Sequence, residues 1–121
     1  MKNLKLAFIA ISILGITLAF SFPIADLTGT WNLNVETDMG SGAPTFDLKQ
    51  DSEGKISGTY EGQLGSSDVT GTFLEGKFHL EFSIQGNAIL YDGEFIEEKL
   101  QGTVNLGGMA TGTFVGTRKE E

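Results

Sequence analysis

The chain of 121 residues has no cysteine, one histidine, one tryptophan and two prolines, and acidic residues outnumber basic ones by 16 to 8. Without cysteine there are no disulfides, no thiol nucleophile, no thiolate metal ligand and no cysteine-linked lipid. A single histidine, His79, excludes the HExxH and clustered-histidine zinc patterns. None of the serines sits in a nucleophile elbow or has a histidine partner in the sequence pattern. The glycine-rich segments lack the strand–turn–helix context and the lysine of a phosphate-binding loop. These absences remove the recognisable enzyme classes and point to a noncatalytic protein without a cofactor.

The only long apolar run lies at the N-terminus. Lys2 and Lys5 precede Leu6 to Leu18, which is interrupted only by Ser12, Gly15 and Thr17. Ala19-Phe20-Ser21 then places small residues where a signal peptidase reads them. The pattern predicts a secretory signal peptide over residues 1–21, with cleavage after Ser21. Cleavage after Ala25 and an uncleaved anchor are the alternatives. The run is shorter than the roughly 20 residues that a spanning helix needs.

The remaining segment, 22–121, has the size of a single domain. Its expected location is secreted or periplasmic. Two of the eight basic residues fall in the leader, leaving six against 16 acidic residues, a formal charge of −10. Such an acidic domain is a poor partner for nucleic acid or an anionic membrane, and stable membrane insertion after leader cleavage is not expected. With no disulfides, it must rely on an apolar core of its own or on a partner.

Alternation of apolar and polar residues runs along most of this segment. Trp31, Leu33 and Val35 share one face of a first strand, and Phe46 and Leu48 point inward on the second. Met39 to Pro44 reads as a Gly-, Ser- and Pro-rich loop between them. Asp51-Ser52-Glu53-Gly54 is a turn, followed by inward rows Ile56/Gly58/Tyr60 and Val69/Gly71/Phe73. Glu75-Gly76 turns into Phe78/Leu80/Phe82/Ile84, and Gly86-Asn87 is the next reversal. Ile89/Tyr91/Gly93/Phe95, Leu100/Gly102/Val104/Leu106 and Ala110/Gly112/Phe114 complete eight strands. No stretch after the leader has helical periodicity.

One signature recurs: apolar, polar, Gly, polar, then aromatic or branched. It occurs around Gly58, Gly71, Gly102 and Gly112, with a looser copy around Gly93. Glycine within a strand costs backbone entropy and contributes no side chain. On an inner face, it marks sharp curling or a group crowding the backbone. The expected architecture is therefore an all-β, eight-stranded antiparallel meander barrel, with a two-sheet β-sandwich as the alternative. Trp31, Tyr60, Phe73, Phe82, Phe95 and Phe114 are its candidate ligand-lining or core residues.

Gly29-Thr30-Trp31 and Ser57-Gly58-Thr59-Tyr60 resemble the opening strand and a Thr-Gly-Thr-Tyr strand of the avidin and lipocalin group. That resemblance implies an eight-stranded meander barrel. It does not extend to the biotin-binding set. The avidin-like Asn two residues after the opening Trp corresponds to Leu33, with Asn32 one step early. Tyr60 matches a site tyrosine, but the serine two residues later becomes Gly62, and Trp31 has no second tryptophan beside it.

Two functional classes fit this reading. One is an apolar-ligand carrier whose aromatic rings line a cavity. The other is a surface protein- or carbohydrate-interaction module, or a structural envelope protein, presenting outward Asn, Gln and Thr residues. His79 is expected to project outward beside Glu81 as an ordinary surface residue. Asp92 and Glu94 are expected to face solvent, with Glu97-Glu98 in the following turn. Asp51 and Glu53 lie in a loop too short for EF-hand calcium ligation.

Overall fold

A computed structural model describes residues 26–119. The expected leader over 1–21 and both expected cleavage positions lie outside the described residues. Nine strands follow one another: β1 (Gly29–Thr37), β2 (Gly40–Gly42), β3 (Thr45–Gln50), β4 (Lys55–Gly62), β5 (Gly65–Leu74), β6 (Lys77–Ile84), β7 (Asn87–Ile96), β8 (Lys99–Leu106) and β9 (Thr111–Arg118). Each long strand pairs antiparallel with its sequence neighbour, and β1 pairs with β9 to close the sheet. The result is an eight-stranded antiparallel barrel with one short extra strand, β2. Closure rules out the sandwich. The agreement with avidin- and lipocalin-like barrels is one of broad architecture.

The extra strand has a simple origin. Val35 faces Gly42 across β1–β2, Trp31 faces Phe46 across β1–β3, and both pairings obey one continuous register. Leu33 N–H donates to Pro44 O at 3.0 Å between them. Proline has no N–H to return that bond, so the ladder is interrupted there. Most of the loop expected over Met39 to Pro44 is therefore extended chain, and the true turn is Asp38-Met39. The Thr37 hydroxyl holds it, accepting from Met39 N–H at 3.0 Å and donating to Gly40 O at 2.9 Å.

The β6–β7 reversal lies one residue earlier than the expected Gly86-Asn87. The turn residues are Gln85 and Gly86, both at positive φ (52° and 82°), and Asn87 already belongs to β7. A two-residue turn with both φ positive matches the twist of the flanking strands. It pairs His79 with Asp92. A turn one residue later would have placed His79 opposite Glu94.

The inward aromatic and aliphatic residues form one core. Trp31, Phe46, Leu48, Leu80 and Ile89 are almost fully buried, and apart from the Trp31 indole and the Tyr60 and Tyr91 phenols no polar or charged side chain is buried among the described residues. The signature glycines explain how the sheet closes. A Cβ built on Gly58, Gly71, Gly93, Gly102 or Gly112 would stand 1.9–2.2 Å from a carbonyl oxygen of the adjacent strand. These glycines sit where adjacent backbones crowd together as the sheet coils. Backbone crowding, more than room for a ring, is what requires them.

The two ends of the barrel differ. At one end, Leu27 crosses beneath the sheet, fully buried, with its N–H bonded to Gln50 Oε1 at 2.9 Å. Trp31 Nε1 donates to Leu27 O at 2.9 Å, and the Arg118 guanidinium lies 4.3 Å above the Trp31 ring. Arg118 also donates to Thr28 O at 2.6 Å and Asp26 O at 3.1 Å. This end is plugged.

Candidate ligand site at the barrel mouth

At the opposite end, the β1–β2, β4–β5 and β8–β9 hairpin tips surround a recess of about 250 Å³. Its walls come from Val35, the Gly40–Pro44 segment, Leu64, Leu106 and Ala110, and its floor includes Tyr60 and Tyr91. Met39 and Met109 stand on the rim, 73% and 52% exposed. Exposed methionines are soft, adaptable apolar contacts. The tips of β1–β2 and β8–β9 are tied together. Asp38 N–H donates to Thr111 O at 3.2 Å, and Thr111 N–H donates to Asp38 Oδ1 at 3.2 Å.

The space exists because of what β2 contributes. Its inward positions near the mouth are Gly40 and Gly42, so no side chain from this strand fills the mouth. Pro44, the next inward residue, is buried. Below the recess, the rings pack tightly. Tyr60 stacks on Phe82 at 4.4 Å between centroids, and Phe46 meets Tyr60 and Tyr91 edge-on at 5.4 and 5.1 Å.

The polar part of the site is small. Burial pushes the Tyr91 hydroxyl well above the ordinary tyrosine range, and nearby Tyr60 adds to the shift. Burial also raises Tyr60, partly opposed by a backbone hydrogen bond at Leu64. Both phenols stay protonated at physiological pH and so keep an O–H available as a hydrogen-bond donor. Thr37, Ser41 and Gln63 supply the other polar side chains, and among the described residues the lining contains no Asp, Glu, Lys, Arg or His.

Of the six candidate lining residues, only Tyr60 reaches this recess. Trp31 lies at the plugged end, where Phe95 meets it edge-on at 6.2 Å. Phe73, Phe82 and Phe114 are buried in the core, and Phe95 is half-buried against it. Tyr91, Met39, Met109 and the β2 glycines were not singled out from the sequence. The two-residue turn at Asp38-Met39 would have exposed the β2 glycines as inward positions.

His79 faces outward, as its position between Phe78 and Leu80 implies. Its Nδ1 meets Asp92 Oδ1 at 2.5 Å, and its Nε2 meets Glu81 Oε1 at 2.8 Å. With a carboxylate on each ring nitrogen, the imidazolium is favoured, and hydrogen bonds to Glu81 and then Asp92 raise its pKa above the ordinary 6.5. The stabilisation is complete below that value and is lost as pH rises through the folded pKa. The side chain is 35% exposed, so solvent screening limits the contribution to about 0.5 kcal/mol or less. In an NMR titration, the His79 midpoint is expected above 6.5 and should fall in both Glu81→Gln and Asp92→Asn. An unchanged midpoint in both variants would refute the bridging geometry.

Asp51 is committed to its own turn. Its Oδ1 accepts from Glu53 N–H at 2.8 Å and Lys55 N–H at 2.9 Å. Those bonds, that from Lys55 first, hold its pKa below the usual carboxylate value. Asn32, the near-match to the avidin-like position, is exposed and bonds to Thr45, while Leu33 is in the core. No protein-family model matches the chain, and no curated protein matches it in sequence.

Proposed function

We propose that the chain is an exported, noncatalytic binding domain that takes a small, neutral, largely apolar molecule at the barrel mouth. The observation that carries this reading is the unfilled recess. A domain of this size needs nearly all its apolar side chains for its core. Here, apolar side chains also wall an open space, with two protonated phenols at its base. Apolar walls with a few convergent polar groups are the usual character of small-molecule sites. The volume lies below the roughly 300–1,000 Å³ of drug-sized pockets, which points to a single ring or a short chain.

The remaining features fit this role. The leader pattern supports export to the periplasm or medium. The strong negative charge disfavours nucleic acid, and among the described residues the outward strand faces, rich in Thr, Ser and acidic residues, carry no apolar band of the kind a membrane barrel presents. No cofactor is called for.

Native mass spectrometry of the protein isolated gently after export is expected to show a small-molecule adduct that is lost on denaturation. Gly42→Leu is expected to abolish it while leaving the melting temperature within a few degrees of wild type, because an inward side chain at Gly42 enters the recess. Around that position, only Gln63 side-chain atoms lie within 4 Å among the described residues. Retention of the adduct by Gly42→Leu would move the site elsewhere. A specific protein complex without an adduct would favour the interaction-module reading.

A further inference from the structure

The barrel closes through β1–β9, but among the described residues β2 pairs with β1 alone. The Leu33 N–H to Pro44 O bond sets the alternation along this segment. Gly40, Gly42 and Pro44 direct their backbone groups toward β1, while Ser41 and Ala43 direct theirs to the other side. On that side, the β3–β4 register would continue to Gln63 opposite Ala43. Instead, β4 ends at Gly62 and the chain turns through Gln63 and Leu64 into β5. Glu36 and Ser41 form the non-hydrogen-bonded pair of the β1–β2 ladder, no backbone hydrogen bond reaches Ala43 among the described residues, and Ser41 and Ala43 are both exposed.

Proteins usually cover, bend or charge an open strand edge. This edge adjoins the recess, with no side chain at Gly42 to separate them. We infer that the mouth recognises a neutral ligand carrying two secondary amides around an apolar side chain, such as a short extended peptide, by strand addition to Ser41 and Ala43. The inference rests on the ligand-binding reading of the recess and names the chemistry it selects.

The geometry is specific. In an antiparallel addition, the ligand residue opposite Gly42 is flanked by amides facing the open edge. The preceding C=O accepts from Ala43 N–H, and the following N–H donates to Ser41 C=O. Side chains directly opposite one another share a face of the sheet. Gly42 faces inward, so the ligand side chain opposite it points into the recess above Tyr60 and Tyr91. Main-chain bonds supply affinity and the recess supplies side-chain selectivity, the usual division in strand addition. Among the described residues, the lining has no charged side chain to compensate a charged ligand group. Gln63, an exposed turn residue whose carboxamide lies beside Gly42, shifts to admit the ligand.

The test is an NMR titration of the protein as exported, with ¹⁵N amide and methionine methyl labels and three probes. N-acetyl-phenylalanine N-methylamide carries both amides. N-acetyl-phenylalanine methyl ester lacks the N–H aimed at Ser41, and 4-phenyl-2-butanone offers an aromatic side chain without either amide. The diamide is expected to shift the Ser41 and Ala43 amide resonances together with the Met39 and Met109 methyls. The ester should bind about tenfold more weakly, the effect of one lost hydrogen bond. Equal affinity for diamide and ester, or binding without movement of the Ala43 resonance, overturns strand addition while leaving the recess as a ligand site. If no probe moves the methionine methyls and the isolated protein carries no adduct, the recess reading falls and this inference with it.

Discussion

Gly102→Ala is expected to destabilise the barrel by about 3 kcal/mol or more, at the upper end of the cost of overpacking. The new methyl carbon would stand 2.0 Å from Asp92 O and 2.4 Å from Gly93 Cα, where every crowding atom is backbone. A flexible side chain can swing aside, but here relief requires β7 and β8 to separate. Those two strands pair from Ile89–Leu106 to Ile96–Lys99, with Gly93 directly opposite Gly102, so separation would break ladder bonds on both sides. For a domain of this length, the loss corresponds to a melting temperature lower by roughly 12–24 °C. Gly42→Ala is the control, since its methyl carbon would meet only Gln63 side-chain atoms, at 3.6 Å or beyond. It should change stability by no more than about 0.5 kcal/mol. Thermal or urea unfolding of the pair settles the matter, and equal stabilities would remove backbone crowding as the reason for the glycine signature.

Trp31→Ala should cost about 3–5 kcal/mol, as for other large aromatic truncations in a core. Trp31 is fully buried, and three separate pieces converge on it: Leu27 from the N-terminal side, Phe95 from β7 and Arg118 from β9. Truncation leaves a cavity and also leaves the Leu27 carbonyl without its indole donor. Trp31→Phe separates these effects by retaining most of the ring while removing the N–H, and a loss of about 1–2 kcal/mol is expected from the unpaired carbonyl. Arg118→Lys keeps the charge but not the planar fork that reaches both Thr28 and Asp26. A double-mutant cycle between Trp31→Phe and Arg118→Lys should give coupling above about 0.5 kcal/mol. Additive losses would mean that Arg118 acts on the carbonyls alone.

Strand faces were legible in the sequence because the side-chain direction in a strand alternates with every residue. Trp31, Leu33 and Val35, or Phe78, Leu80 and Phe82, declare their common face without knowledge of any partner strand. Turn placement was harder. Gly-Ser-Gly-Ala-Pro over Gly40–Pro44 has the composition of a loop, yet pairing with β1 draws Gly40–Gly42 into the sheet. At Gln85-Gly86, a misplacement by one residue changes the partner of His79 from Asp92 to Glu94. Local composition does not distinguish the two turns. The complete β6–β7 ladder does, because it aligns Phe82 with Ile89 and Leu80 with Tyr91 on the inner face.

The candidate site was less legible than the fold. Aromatic residues on the inner face identify what is buried without saying which end of a barrel is filled. Tyr60 and Phe73 are both inward aromatics, but Tyr60 lies under the open mouth and Phe73 is enclosed by the core.

Period-two alternation, glycines on the apolar face, the absence of cysteine and the acidic balance specify a curled antiparallel sheet that folds without disulfides. These are local or compositional properties, and they survive any uncertainty about which strands meet. Closure by β1–β9, the Arg118 contact with Thr28 across 90 positions of sequence, the two carboxylates on His79 and the open edge beside the mouth depend on register between distant segments. Register is set by the simultaneous fit of all the ladders and the core they enclose. Only the folded barrel brings Tyr60, Tyr91, Gly42 and the two rim methionines around one space.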